Sequence, residues 1–415
     1  MALLIRNILL DGRKTDILVE GNRISSIGES DKSDRVLDGS GKAALPGLVN
    51  CHTHAAMTLM RGYADDLPLK EWLEGNIWPL EARLTEEDVY WGSRLACLEM
   101  IKSGTTCFND MYWHWRGTAR AVRDSGIRAY LSQVFVDLND QDKAAEQIKL
   151  NERLYRDSRE FPDRVGFALG PHAPYSVSRE SLLWVKDFSE KHNLLVHFHL
   201  SETKREVEDC IRNHGKRPVE YLDELGLLSG RLVACHSVWL SPGEIELLRR
   251  HDVKIVYNPA SNMKLGSGSF PYPELKGAGL LVALGTDGCA SNNNLDMFEE
   301  MKLASLLQKL RSGPTTLPAN EALGMATLNG ARALGLSAGE IREGSLADII
   351  LIDLKRPELT PSHNLTSNLV YSAQGSCVDT VICDGKILME NRTVPGEEEI
   401  LEKASEISRN LINRA

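Results

Sequence analysis

The chain reads as an α/β protein: a (β/α)8 barrel of the TIM type carrying a small β-sandwich domain formed from both termini. Three observations predict it. Short β-rich runs alternate with amphipathic helical stretches about eight times through the middle of the chain, as a parallel barrel sheathed in helices requires. The two ends resemble each other, each with a glycine-containing turn between two apolar runs. Histidines and an aspartate fall where the candidate strands stop, the rim at which such barrels gather their chemistry.

At the N-terminal end, Ile17-Leu18-Val19-Glu20-Gly21-Asn22-Arg23-Ile24 reads as a hairpin, and Val381-Ile382-Cys383-Asp384-Gly385-Lys386-Ile387-Leu388 repeats the pattern near the other end. Glycine tolerates the positive φ that such turns demand. A further strand is expected over 347–353. Residues 1–48 and 342–398 are therefore expected to form one composite β-sandwich domain, with a helix over 399–415 packed outside. Residues 49–341 form the barrel. Its eight strands are expected at 47–50, 105–108, 128–132, 165–169, 195–198, 232–235, 254–257 and 281–284, with helices such as 86–103 and 179–192 between them.

The composition agrees. A chain of 415 residues, 42% hydrophobic and 26% charged, is an ordinary globular protein with room for a large barrel and an accessory domain. A net charge of −10 argues against nucleic acid or an anionic membrane as partner. It leaves a small neutral substrate open, and since the acidic residues are spread along the chain, solubility is the simpler reading of the charge. No stretch approaches the roughly 20 apolar residues that span a bilayer. The apolar opening is interrupted by Arg6 and Asn7 and reads as a strand. Eight cysteines are scattered without a C-x-x-C pair, so reduced thiols and a cytoplasmic location are expected. The missing C-x-x-C also excludes the cytidine-deaminase zinc signature, and there is no Walker-type phosphate loop.

The chemistry sits at the strand ends. His52 and His54 lie two apart after the first strand, so both imidazoles project to one face and can reach one ion. His199 closes the fifth strand, His236 the sixth, and Asp287 follows the eighth. Each is ordinary alone: His-x-His is common at surfaces, Asp287 before Gly288 reads as a turn residue, and His236 reads as a satisfied core histidine. Their convergence on one rim is not ordinary, and it points to a metal site there.

The strings Pro46-Gly47-Leu48-Val49-Asn50-Cys51-His52-Thr53-His54, His197-Phe198-His199-Leu200-Ser201-Glu202-Thr203 and Gly285-Thr286-Asp287-Gly288 resemble the amidohydrolase superfamily. Met60-Arg61-Gly62, Gly170-Pro171-His172-Ala173-Pro174-Tyr175 and Asn258-Pro259-Ala260-Ser261-Asn262-Met263-Lys264-Leu265-Gly266 resemble, more closely, its methylthioadenosine/S-adenosylhomocysteine deaminase group, which includes 5′-deoxyadenosine deaminases. The resemblance implies one divalent ion, zinc or else iron or manganese, held by His52, His54, His199 and Asp287. Binuclear relatives carry a lysine at the end of strand four, where this chain reads Leu169-Gly170-Pro171-His172. The resemblance further implies that Asp287 and His236 hold the attacking water and accept its proton, and that Glu202 carries a proton to the purine ring.

For the substrate, the resemblance implies an adenosine-type nucleoside with Glu81 on the ribose hydroxyls, Trp72 around the 5′ side and His172 on the nucleoside. A homo-oligomer, with a tetramer as the expected form, is implied in the same way. Trp78 is expected to pack the first βα segment onto the barrel, whereas Trp72 reads equally as packing or as pocket. The cluster Tyr112-Trp113-His114-Trp115 reads equally as a pocket wall or a subunit contact. Relatives that take S-adenosylhomocysteine well can hold its carboxylate with arginines, a role glutamine does not fill. This chain has Gln133 and Ala145 at the aligned positions, so a preference for neutral 5′ substituents is expected. Two rivals stand beside this reading. One is deamination of a free base or dechlorination of a triazine on the same scaffold, against which Glu81 and His172 speak. The other is a non-catalytic barrel with a binding or assembly role, which is expected to have lost a ligand or Glu202; every such position is present.

Overall fold

The computed structural model describes residues 2–30 and 33–414. Eight parallel strands follow one another around the barrel: β1 (Leu48–Thr53), β2 (Thr105–Tyr112), β3 (Arg128–Phe135), β4 (Val165–Pro171), β5 (Val196–Leu200), β6 (Leu232–His236), β7 (Lys254–Tyr257) and β8 (Val282–Leu284). β1, β2, β5 and β6 are buried along their whole length, as strands covered on both faces must be. The expected strand positions hold, but β1 and β3 each run three residues further, and β2 four, than their apolar runs suggest. β1 continues through Cys51, His52 and Thr53 because the inward-facing Asn50 and His52 find partners across the barrel mouth.

The seam lies between the short β8 and β1. Asp287 N donates to His52 O at 3.0 Å. Asn50 reinforces this junction, its Oδ1 accepting from Thr286 N (3.1 Å) and its Nδ2 donating to Thr286 Oγ1 (2.7 Å). Gly285 is required here: a Cβ would lie 2.6 Å from Asn258 Oδ1 and 2.8 Å from the His52 backbone nitrogen.

The terminal segments build a second, separate eight-stranded sheet. Lys42–Pro46, from the N-terminal part, pairs antiparallel with Ile349–Asp353 from the C-terminal part. The sheet folds back on itself, Ile24 N donating to Ser345 O and Ala347 N to Asn22 O, around a core that includes Ile5, Ile17, Ile24, Ile349 and Ile382. Both expected hairpins are present. Asp384 (φ 53°) and Gly385 (φ 72°) make the positive-φ turn of the second. The helix Glu397–Asn413 lies against Glu86–Lys102 through buried Ile400, Ala404 and Leu411. Among the described residues, no helix is long and apolar enough to cross a membrane.

Candidate metal centre and active-site cavity

Four donor atoms meet at the C-terminal mouth of the barrel. His52 Nε2 lies 3.4 Å and His54 Nε2 3.2 Å from Asp287 Oδ1. His199 Nε2 lies 3.3 Å from His54 Nε2. The second nitrogen of each ring is engaged elsewhere: His54 Nδ1 on Met111 O (2.6 Å), His199 Nδ1 on His172 O (2.8 Å) and His52 Nδ1 on His197 Nε2 (2.7 Å). His52 Nε2 is buried without any hydrogen-bond partner. Ligands about 2.0–2.1 Å from a tetrahedral zinc stand about 3.3 Å from one another, which is the spacing seen here. Three imidazoles and one carboxylate fit a single divalent ion.

Backbone strain gathers at the same place. Asp287 (φ 64°), His236 (φ 70°) and Ser201 (φ 50°) all occupy the left-handed region, which costs non-glycine residues energy and marks functional loops. Burial lowers the pKa of His52 to about 4 and that of His199 well below the usual imidazole value, leaving both as neutral donors. Burial works against charge on Asp287, but the facing His52 and His54 rings overcome it and hold its carboxyl well below the usual range.

The centre opens into a cavity of about 540 Å³, a normal size for a small-molecule site. His54, His199, Asp287, Glu202, His236 and His172 all line it. The segment between β1 and its helix lines another part with Trp72, Trp78 and Glu81. It carries a π-helical turn, Leu73–Ile77, between Leu69–Trp72 and Trp78–Glu81, a distortion typical of functional helices.

The model of the amidohydrolase family matches residues 43–388. The chain belongs to the amidohydrolase family. It is 51% identical over 424 aligned residues to a 5′-deoxyadenosine deaminase of Methanoregula boonei, covering 100% of this chain and 96% of the relative. It is 50% identical to a 5-methylthioadenosine/S-adenosylhomocysteine deaminase of Archaeoglobus fulgidus, covering 96% of each. Among solved structures, a zinc-bound adenosine deaminase of Xanthomonas campestris superposes with a TM-score of 0.94 at 34% identity, covering 99% of this chain and 98% of that one.

In this amidohydrolase the residues expected as metal, proton-transfer and nucleoside-binding groups line one cavity or, for His52, lie beside it. Trp72 is buried with Nε1 unpartnered. Trp78 differs from expectation. It is 41% exposed at the cavity edge, because the π turn rotates it outward instead of onto the barrel. Tyr112, Trp113 and His114 are pocket wall, while Trp115 is core. Gln133 also differs. It is buried, its Oε1 accepts from Trp115 N at 3.1 Å, and neither it nor the exposed Ala145 borders the cavity. The wall at the end of β3 is Val134, Val136 and Leu138.

Asn258, Ser261 and Asn262 stand in a motif that the sequence displays, but their supporting roles, like that of Glu206, are not legible in it. Ser261 Oγ donates to Asp287 Oδ2 (2.6 Å), and Asn262 and Asn258 place amide nitrogens 2.9 and 3.2 Å from His236 Nδ1. Glu206 accepts the N–H groups of Ser201 (2.7 Å) and Glu202 (2.8 Å), fixing the strained loop. Glu202 Oε1 accepts from Ser267 Oγ at 3.2 Å, and Oε2 stands 3.9 Å from His236 Nε2. Burial raises the Glu202 pKa, with His236 opposing. The i, i+2 spacing of His197 and His199 is a sequence signal for His197, since it puts both on the inward face.

Proposed function

We propose that this amidohydrolase removes the 6-amino group of adenosine-type nucleosides by hydrolysis, consuming one water and yielding the inosine analogue and ammonia. Its substrates are 5′-deoxyadenosine, 5′-methylthioadenosine and adenosine, with S-adenosylhomocysteine weaker. The observation that carries the reading is a buried Glu202 carboxyl lining the same cavity as His199 and Asp287, 3.9 Å from His236 Nε2. The names of the full-length relatives support the nucleoside.

His52, His54, His199 and Asp287 would hold the ion, zinc being the one whose tetrahedral nitrogen and oxygen preference the set matches, with iron or manganese as other occupants. When bound, a divalent ion lowers the pKa of a coordinated water from 15.7 to about 7. Glu202 gives its proton to the ring nitrogen next to the reacting carbon, making that carbon electrophilic. Asp287 accepts the water's proton, oriented for this by Ser261 on its other oxygen. His236, held by the two asparagines, orients the same water. The departing amine leaves as ammonia after a second proton transfer. Glu81, whose pKa is raised by burial with Trp113 and Tyr112 opposing, accepts from the ribose hydroxyls. His172 and Trp72 border the rest of the nucleoside.

The test is ammonia release by the purified, zinc-loaded protein. Adenosine nucleosides are expected to turn over, whereas adenine, guanine, cytosine and chlorotriazines are not; a faster free-base reaction overturns the proposal. The 5′ preference now stands on the cavity wall instead of Gln133. Among the described side chains no arginine or lysine lines the cavity, so a carboxylate-bearing tail finds no cationic partner. A kcat/KM for S-adenosylhomocysteine equal to that for 5′-deoxyadenosine overturns it. Dialysis against a strong chelator is expected to abolish activity and lower the Tm, since an ion bound only to the folded state stabilises it. Both are expected to return with zinc, checked by activity and thermal melts.

A further inference from the structure

His197 takes no part in the chemistry above, yet it touches the site. β5 delivers it to the same inward face as His199, one layer deeper. Its ring is wholly buried and meets His52 edge-on, with ring centroids 4.9 Å apart at 82°. Its Nε2 is 2.7 Å from His52 Nδ1, and its own Nδ1 makes no hydrogen bond. Strands β1 and β5 are not neighbours in the sheet, so this contact crosses the barrel interior.

Two ring nitrogens at that separation need one N–H and one lone pair between them. His52 Nε2, pointed at the donor cluster, must keep its lone pair to bind an ion. The proton therefore sits on His52 Nδ1, and His197 Nε2 accepts it. His54 and His199 are oriented by main-chain carbonyls, which can only accept and which no substitution at the carbonyl-bearing residue removes. Of the three histidine ligands, His52 is the one oriented by a side chain. We infer that His197 is a positioning residue of the metal centre: by accepting the His52 Nδ1–H it holds His52 in the tautomer and orientation that present Nε2 to the ion. This rests on the reading of His52 as a ligand.

The test is the zinc dissociation constant of the full chain, measured by competition with a chromophoric chelator, for wild type, His197→Leu and His197→Gln. Leucine keeps much of the volume and removes the acceptor; glutamine retains a carbonyl acceptor. Loss of a ligand's orienting partner weakens metal binding about 10–100-fold. That loss is expected for leucine, with glutamine retaining most of the affinity and circular dichroism unchanged in both. Leucine binding as tightly as wild type, or both variants weakened equally, overturns the inference. Should the leucine variant fail to fold, nitrogen-15 spectra of the zinc-loaded wild type decide instead. They are expected to show a protonated His52 Nδ1 and an unprotonated His197 Nε2, and the reverse pattern overturns it. A wild type that binds no zinc removes the ligand reading itself. Deaminase activity does not enter the measurement, so failure of the proposed reaction leaves the result standing.

Discussion

Replacing Glu202 by glutamine is expected to lower kcat about 10²–10⁴-fold, the usual worth of a positioned acid–base group, while zinc content and KM change little. The substitution isolates the proton. Glutamine keeps the size of the side chain and can still accept from Ser267 Oγ, which lies 3.2 Å from Glu202 Oε1. The backbone stays fixed by Glu206, which holds the N–H of residue 202 at 2.8 Å. What disappears is a buried carboxyl whose pKa is raised, a shift that keeps its proton in place to higher pH than an exposed glutamate would. The limb of the pH–rate profile that belongs to this group is displaced upward from the ordinary carboxylate range in the wild type, and it vanishes in the variant. Steady-state kinetics and metal analysis on the same preparation check both statements. A loss of less than about tenfold, below the range of acid–base contributions, removes Glu202 from the proton path.

Arg128→Met is expected to destabilise the protein by about 3–5 kcal/mol, the cost of leaving a buried charge without its partner. Arg128 opens β3 and reaches down to the terminal sheet. Its Nε donates to Asp348 Oδ2 at 3.0 Å, and its Nη2 donates to Asp348 Oδ1 at 3.3 Å and to Asp384 Oδ1 at 3.0 Å. The Asp348 side chain is 2% exposed. It also accepts the Asp384 N–H at 2.7 Å, so the loss reaches the hairpin turn as well. Exposed pairs such as Arg249–Glu246 are worth about 0–1 kcal/mol by contrast. Thermal and denaturant unfolding check the value. The double variant Arg128→Met with Asp348→Asn is expected to recover much of the loss, because it removes the stranded charge.

The fold was legible because its signals are local. Strand–helix alternation and the two glycine turns need no knowledge of distant contacts, and they placed all eight barrel strands. The candidate donors were legible because His52, His54 and His199 sit at strand ends. What escaped depends on partners far away in the chain. Nothing near Ser261 says that its hydroxyl meets Asp287, and nothing near Gln133 says that its amide satisfies the Trp115 N–H instead of facing the substrate. Trp78 escaped for a different reason. The π turn over Leu73–Ile77 inserts a residue into the helical period, so a face counted at 3.6 residues per turn comes out rotated.

The pairing of Lys42–Pro46 with Ile349–Asp353 has a consequence for the newborn chain. On the ribosome, that early strand waits for a partner encoded about 300 residues later. At synthesis rates of about 5–20 residues per second, the wait is on the order of 15–60 s. During that interval it is an open edge, able to recruit the wrong neighbour. Lysine at one end and proline at the other are the residues that discourage such recruitment, and this strand begins with Lys42 and finishes with Pro46.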